Sequence, residues 1–255
     1  MVALVDVHCH LDSDVFHDRF DDILAAARQA GVRKLITASI HPNQWEAVRA
    51  LAQRHEEVVF AQGVHPWYCA DDALPELPRL ETAARGAVAI GEIGLDTKKA
   101  PFPMERQISV FVAQLHTAQQ CNLPVIMHCR GAFNEMLQLF KQHGPPPGGI
   151  LHNFSGSPEL ADQFMAHGLA FSLGGVLTWR NSAKRNRLLR HIYPDHLLLE
   201  TDAPDIPPVE ARGRPNTPAN ILYNLRAAAE LLGEPAEAVA AATTRNAQRI
   251  FGFTL

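Results

Sequence analysis

Ala3-Leu4-Val5-Asp6-Val7-His8-Cys9-His10 is a short apolar run that ends in two histidines. In an extended strand, alternate residues face the same side. The spacing therefore predicts Asp6, His8 and His10 on one face, and Val5, Val7 and Cys9 on the other. Two imidazoles at the C-terminal end of a strand look like half of a metal site. A lone His-x-His is equally consistent with a polar strand end, so the reading turns on whether further donors recur in corresponding places. Seven more apolar runs bounded by turns follow, at residues 34–40, 58–65, 88–95, 124–129, 149–154, 169–176 and 196–201, the first strand being 3–8. Most are separated by Ala/Leu-rich stretches of helical period, such as 20–30 and 105–121, and 219–232 follows the last run. Gly31, Gly144 and Gly168 stand where helix C-caps belong.

Alternating strands and helices imply a parallel sheet. Eight repeats over this length imply an α/β chain folded as a (β/α)8 TIM barrel, with residues 1–255 as a single domain. An open doubly wound sheet is the alternative, but no glycine-rich phosphate loop follows the first strand. Pro145-Pro146-Pro147 reads as a short rigid connector, and the proline-rich segment 203–218 as a long loop over the barrel mouth.

Composition narrows the class of function. Of the 255 residues, 47% are hydrophobic and 20% charged, as in an ordinary globular protein. The chain enters its first strand almost at Met1 and has no apolar run near the length of a membrane span, so neither a signal peptide nor a membrane association is expected. Cys9, Cys69, Cys121 and Cys129 form no C-x-x-C pair, which points to the cytoplasm. A net charge of −4 argues against a surface that coats nucleic acid broadly, though not against a local grip on one or two phosphates. Eight of the 13 histidines (His17, His41, His55, His116, His143, His167, His191 and His196) lie in segments where solvated or capping roles suffice.

Chemistry in such a barrel sits at the C-terminal strand ends. The polar residues there are His8 and His10 on the first strand, His65 on the third and Glu92 on the fourth. His128 and then Arg130 follow on the fifth, His152 on the sixth and Asp202 on the eighth. Each alone has a plain explanation: a hydrogen-bonded interior histidine, or an aspartate that caps a helix. Together they would place several buried charges on one rim without a counterion, which is costly. Bound divalent cations remove that cost. Four imidazoles and two carboxylates exceed what one tetrahedral zinc needs, so a two-metal centre is the natural accommodation. Glu92 would bridge, with His8, His10 and Asp202 on one ion and His128 and His152 on the other. Imidazole ligands favour zinc, manganese, nickel or cobalt over magnesium on softness grounds, and the sequence leaves the metal open.

With these residues in place, the chain resembles the TatD family of metal-dependent hydrolases and deoxyribonucleases over nearly its whole length. The resemblance rests on Asp6-Val7-His8-Cys9-His10-Leu11-Asp12, Gly63-Val64-His65-Pro66, Gly91-Glu92-Ile93-Gly94-Leu95-Asp96 and Pro124-Val125-Ile126-Met127-His128-Cys129-Arg130. It continues through His152-Asn153-Phe154-Ser155-Gly156-Ser157 and Leu198-Leu199-Glu200-Thr201-Asp202-Ala203-Pro204, with Asn216-Thr217-Pro218 and Thr244-Arg245-Asn246 beyond. It implies a metallo-dependent-hydrolase type of TIM barrel and two divalent metals on His8, His10, Glu92, His128, His152 and Asp202. It also implies magnesium- or manganese-supported hydrolysis at DNA ends, of the 3′ exonuclease type. Two departures bear on the substrate pocket: Thr97-Lys98-Lys99-Ala100-Pro101-Phe102-Pro103 replaces a more aromatic and basic segment, and Asn153 stands where relatives often carry a small residue or cysteine.

The expected reaction is in-line attack of hydroxide on a phosphodiester, with Glu92 bridging the ions and Asp202 both ligand and general base. Arg130 would hold a non-bridging phosphate oxygen through its planar fork, and His65 would contact the phosphate or leaving group. Glu200, of the same parity as Asp202, reads as a core carboxylate one layer deeper. Trp67 and Tyr68, and Trp179 with Arg180, are candidates for stacking on a base, and Lys98 and Lys99 for drawing in a polynucleotide. The substrate is then a DNA end or a small phosphodiester, with no obligate protein partner implied. An amidohydrolase-type enzyme acting on an amide or lactone is the first rival. Against it, the fourth strand carries Glu92 where a lysine able to form a carbamylated bridge would stand. A metal-binding protein without catalysis is the second rival, and the intact candidate base weighs against it.

Overall fold

The computed structural model describes residues 3–179 and 182–255. Eight strands run parallel in the order β1 to β8: Leu4–Cys9, Val32–Ala38, Val58–Gln62, Ala89–Asp96, Val125–Arg130, Gly149–Leu151, Leu169–Leu173 and Leu197–Leu199. Helices α1 (Phe20–Gln29), α2 (Trp45–Arg54), α3 (Leu80–Ala83), α4 (Met104–Cys121), α5 (Phe133–His143), α6 (Pro158–Met165), α7 (Ala183–Ile192) and α8 (Ile221–Leu232) alternate with them, and α9 (Ala236–Phe251) ends the series. Only α3 is a single turn. Its approach, Leu74–Arg79, is a 3-10 helix that contains Pro75 and Pro78, which withhold two backbone donors from an α-helix.

Two apolar layers follow from the period-two pattern. Leu35, Phe60, Val125, Phe171 and Leu197 point outward against the helices. Val5, Val7, Ile36, Ala38, Ala61, Ala89, Ile126, Ile150, Ala170 and Leu198 fill the barrel, branched side chains interleaving with alanines so that the interior is solid. Ala247 and Phe251 of α9, with Phe253 beyond it, pack beneath this interior layer. Thr244 Oγ1 donates to the Ala3 carbonyl (2.9 Å) and Asn246 Nδ2 to that of Leu197 (2.9 Å), which ties α9 to the starts of β1 and β8.

Simple alternation fails at two strands. Asp6 pairs with Leu35 and Cys9 with Thr37, so three steps along β1 match two along β2. Ile90 pairs with Val125 and Ile93 with Met127, the same mismatch between β4 and β5. Each is a bulge with one extra residue. On β1 it lets Val7 join the interior layer while His8, next in sequence, reaches the rim, so the expected division of Val5 and Val7 from His8 does not hold. On β4 the extra residue is Gly91 or Glu92. A Cβ on Gly91 would lie 2.7 Å from Ile126 Cβ, so the close approach of the strands requires glycine.

Strands three, six, seven and eight end earlier than the apolar runs do, which leaves His65, His152 and Asp202 on the first residues of loops. Glu92, expected at the end of its strand, lies inside β4, which continues to Asp96. Beyond β8 the loop backbone closes the barrel: Asp202 N–H donates to the His8 carbonyl (2.9 Å) and His10 N–H to that of Ala203 (2.7 Å). Below them the buried Asp6 carboxylate takes both the backbone N–H of Thr201 (2.9 Å) and its hydroxyl. Asp6 thus belongs to the seam and not to the face presented by His8 and His10. All four cysteines are free, and among the described residues no helix is long and apolar enough to cross a membrane.

Asp6→Ala would strand the N–H and hydroxyl of Thr201 in a dry seam. An unfolding free energy lower by about 1–3 kcal/mol is expected, seen as a lower urea midpoint at unchanged slope. An unchanged midpoint would show that loop backbone alone closes the barrel.

Candidate metal centre

Six strand ends deliver seven groups to one spot. His8 and Glu92 are almost fully buried, His65, His152 and Asp202 nearly so, and His10 and His128 partly open to the cleft above. Glu92 is the hub. Its Oε2 lies 3.3 Å from His8 Nε2 and 3.5 Å from His10 Nε2, and both of those atoms also lie within 3.5 Å of Asp202 Oδ1. Its Oε1 lies 2.9 Å from His152 Nε2, 3.4 Å from His128 Nδ1 and 3.4 Å from His65 Nε2. One carboxylate therefore divides the donors into two lobes: His8, His10 and Asp202 on one side, and His128, His152 and His65 on the other. Asp202 is held in a left-handed conformation (φ 58°), which aspartate tolerates better than most residues.

The remaining ring nitrogens distinguish ligand-like histidines from the other kind. His10 Nδ1 lies 2.9 Å from the Ala38 carbonyl and must donate to it, so it is Nε2, facing Glu92 and Asp202, that is left to bind a metal once it loses its proton. His128 Nε2 lies 3.2 Å from Asp96 Oδ2, which orients His128 Nδ1 inward in the same way. His152 Nδ1 points toward Glu200 Oε1 at 3.7 Å. A carbonyl or carboxylate behind an imidazole is the usual support of a metal-binding histidine. His65 is reversed: its Nδ1 accepts the Trp67 N–H (3.1 Å). A neutral ring with that acceptor carries its proton on Nε2, and burial lowers the His65 pKa to about 4 despite Glu92. His65 is thus a neutral donor aimed into the site.

Two carboxylates behind the histidines complete the arrangement. Glu200 is fully buried, as its parity suggested, and accepts from Ser172 Oγ and the Asn153 N–H (2.9 Å). Asn153 itself has φ 43°, a conformation that asparagine adopts readily, which gives a physical role to that departure. Asp96 was missed in the sequence. It accepts from Trp67 Nε1 (2.7 Å) and the N–H groups of Lys98 (2.7 Å) and Lys99 (2.9 Å) besides facing His128. The signal was its shared parity with Glu92, four residues on along the same strand.

Burial opposes charge throughout; it prevails at His65, and mutual attraction prevails at the other site groups. Glu92 is held well below the usual carboxylate range by His65, His152 and His8, and Asp202 below it by His10 and His8. His10, lowered by burial, is raised on balance to about 9 by Asp202 and Glu92. Neither ring nitrogen of the buried His8 makes a well-directed hydrogen bond within the protein, nor does His152 Nδ1. Three sets of donor atoms lie within 4.8 Å of one another: His8–His10–Glu92, His8–His152–Asp202 and His65–Glu92–His128. The orphaned Nε2 of His8, set between Glu92 Oε2 and Asp202 Oδ1, fits a divalent cation.

Arg130 ends β5 exposed on the wall of the cleft, and no side chain among the described residues pairs with its guanidinium. Trp67, Tyr68, Lys99 and Trp179 line the same cleft, whereas Arg180 lies outside the described residues.

A rim of imidazoles and carboxylates at the C-terminal end of a (β/α)8 barrel is the hallmark of metal-dependent hydrolases. Comparison with known proteins narrows the class: the family model "TatD related DNase" matches residues 5–252, and the chain belongs to that family. It is 34% identical over 251 residues to the uncharacterized metal-dependent hydrolase YjjV of Escherichia coli K12, covering 97% of each chain. It is 33% identical over 264 residues to the 3′-5′ ssDNA/RNA exonuclease TatD of the same organism, covering 98% of this chain and 99% of that one. The crystal structure of YjjV superposes with a TM-score of 0.90 over 98% of both chains.

Asp96→Asn is expected to weaken metal binding 10- to 100-fold, read by competition with a chromophoric chelator. Unchanged affinity would leave Asp96 only its turn-forming bonds. Because His10 titrates near 9 in the metal-free protein, it is protonated at pH 7 and must lose that proton to bind a metal. Calorimetry in buffers of different ionisation enthalpy should register proton release at pH 7 and a metal affinity that rises with pH up to about 9. A pH-independent affinity with no protons released would contradict this.

Proposed function

We propose that the protein hydrolyses phosphodiester bonds at the ends of nucleic acid strands, as a 3′ exonuclease acting on DNA, with two divalent ions shared across Glu92. The observation that carries this reading is the division of donors by the two oxygens of Glu92 into a His8, His10, Asp202 lobe and a His128, His152 lobe. Magnesium, manganese or zinc bound there supplies a nucleophile near neutral pH and neutralises charge on the attacked phosphoryl group.

The chain's own residues do the rest. Asp202 turns Oδ1 to His8 and His10, while its Oδ2 makes no bond within the described residues and is available to take a proton from the attacking water. His65, neutral and protonated on Nε2, now faces Glu92 Oε1 at 3.4 Å, and the same N–H would serve a phosphoryl or leaving-group oxygen brought beside that carboxylate. Arg130, unpaired at the rim, matches a phosphate with its planar fork. The cleft encloses about 1080 Å³, at the upper end for small-ligand pockets and sufficient for a strand terminus. The exonuclease named among the relatives supports this substrate class. The reading places the protein in the cytoplasm and requires no partner protein.

The test is digestion of 3′-labelled and 5′-labelled single-stranded DNA with magnesium or manganese. Early release of the 3′ label as mononucleotide is expected, with kcat reduced about 10²- to 10⁴-fold in Asp202→Asn. Intact strands with metal shown to be bound would overturn the DNA assignment and turn the search to small phosphodiesters, amides and lactones.

A further inference from the structure

The lip of the cleft is charged unevenly. From the loop after β4 round to the start of α7 it carries Lys99, Arg130 and Lys184, whereas the loops after β1 and β8 bring Asp12, Asp14 and Asp205 to it, with Arg212 of the β8 loop beside Trp179. A chain whose overall charge is −4 thus gathers cations on one arc of its mouth. Two of the three are tied down, Lys184 by its side chain and Lys99 by its backbone. Lys184 Nζ donates to the Ser155 carbonyl (2.7 Å), and the Lys98-Lys99 turn is pinned to Asp96.

An indole stands at each end of this arc, and each is held by its own N–H. Trp67 Nε1 donates to Asp96 Oδ2 (2.7 Å), with Lys99 Nζ 5.6 Å from the ring centre. Trp179 Nε1 donates to the Pro207 carbonyl (3.0 Å), with the Arg212 guanidinium 5.9 Å from its ring. Trp67 lies beside the reacting groups, its ring 5.0 Å from that of His65 and 6.0 Å from that of His128. Trp179 stands on the outer lip and is 37% exposed, where a purely packing tryptophan would be covered. Anchored aromatic faces joined by cations are how single-stranded nucleic acids are gripped irrespective of sequence.

We infer that the Lys99–Arg130–Lys184 arc is the track of a single-stranded nucleic acid, with the terminal base on Trp67 and a base further along the strand on Trp179. The inference rests on the phosphodiesterase reading for its substrate class. The carboxylates of Asp12, Asp14 and Asp205 disfavour phosphates on the remainder of the lip, with Arg212 the cation of the β8 loop at the Trp179 end.

The test measures anisotropy of a labelled twelve-nucleotide oligothymidylate and an abasic strand of equal length, both with phosphorothioate backbones, on manganese-loaded protein. Trp179→Ala should weaken oligothymidylate binding on the order of 5- to 150-fold, should leave the abasic strand within about twofold, and Trp179→Phe should restore most of the loss. Trp45 is buried, so oligothymidylate should quench mainly the emission of Trp67 and Trp179, and Trp179→Phe should diminish that quench. Equal weakening of both strands, or no weakening, would overturn the assignment. If Trp179→Ala behaves as expected while the wild type leaves ordinary DNA uncut, the track stands and the nuclease reading falls.

Discussion

A carboxylate, 3% exposed, faced by five imidazoles within 3.5 Å is the constraint around which the rest is arranged. An isolated buried charge of this kind would cost several kcal/mol. Glu92 instead sits where His8, His10, His65, His128 and His152 converge from four strands, so no single element creates the site and none can be displaced without exposing an unpaired charge. The same convergence makes proton and metal rivals for one set of nitrogens. Asp96, Glu200 and the Ala38 carbonyl settle which nitrogen of each supporting ring is on offer.

The backbone meets this demand with the same device on opposite walls. An extra residue in β1 and another in β4 bring His8 and Glu92 to the rim without removing Val7 or Ala89 from the packed interior beneath. A regular strand would have had to give up one or the other, because its side chains alternate strictly. Gly91 shows how tight the arrangement is, since it lies against Ile126 with no room for a Cβ.

The pattern of an apolar run followed by a donor was plain in the sequence. It was enough for the barrel, the strand order and the convergence of His8, His10, Glu92, His128, His152 and Asp202. What it concealed depends on atoms that no pattern displays. The bulges are invisible to a period-two reading, which put Asp6 on the face of His8 and His10 when it binds Thr201 across the seam. Asp96 was passed over because Glu92 had already supplied a carboxylate for β4. The direction of His65 follows from one backbone N–H, that of Trp67, and a residue list contains no such information. The segment that forms α9 has no element in the sequence reading, which stops at 219–232, and its packing beneath Val5 and Ala61 is seen only in the structure.

That last helix has a consequence for turnover. With Ala247, Phe251 and Phe253 stoppering the lower end, the barrel is a cul-de-sac. Whatever enters by the upper mouth, and whatever is made there, must use the same doorway. Entry and exit therefore share one opening, and departure of what is made can limit turnover as much as bond breaking does.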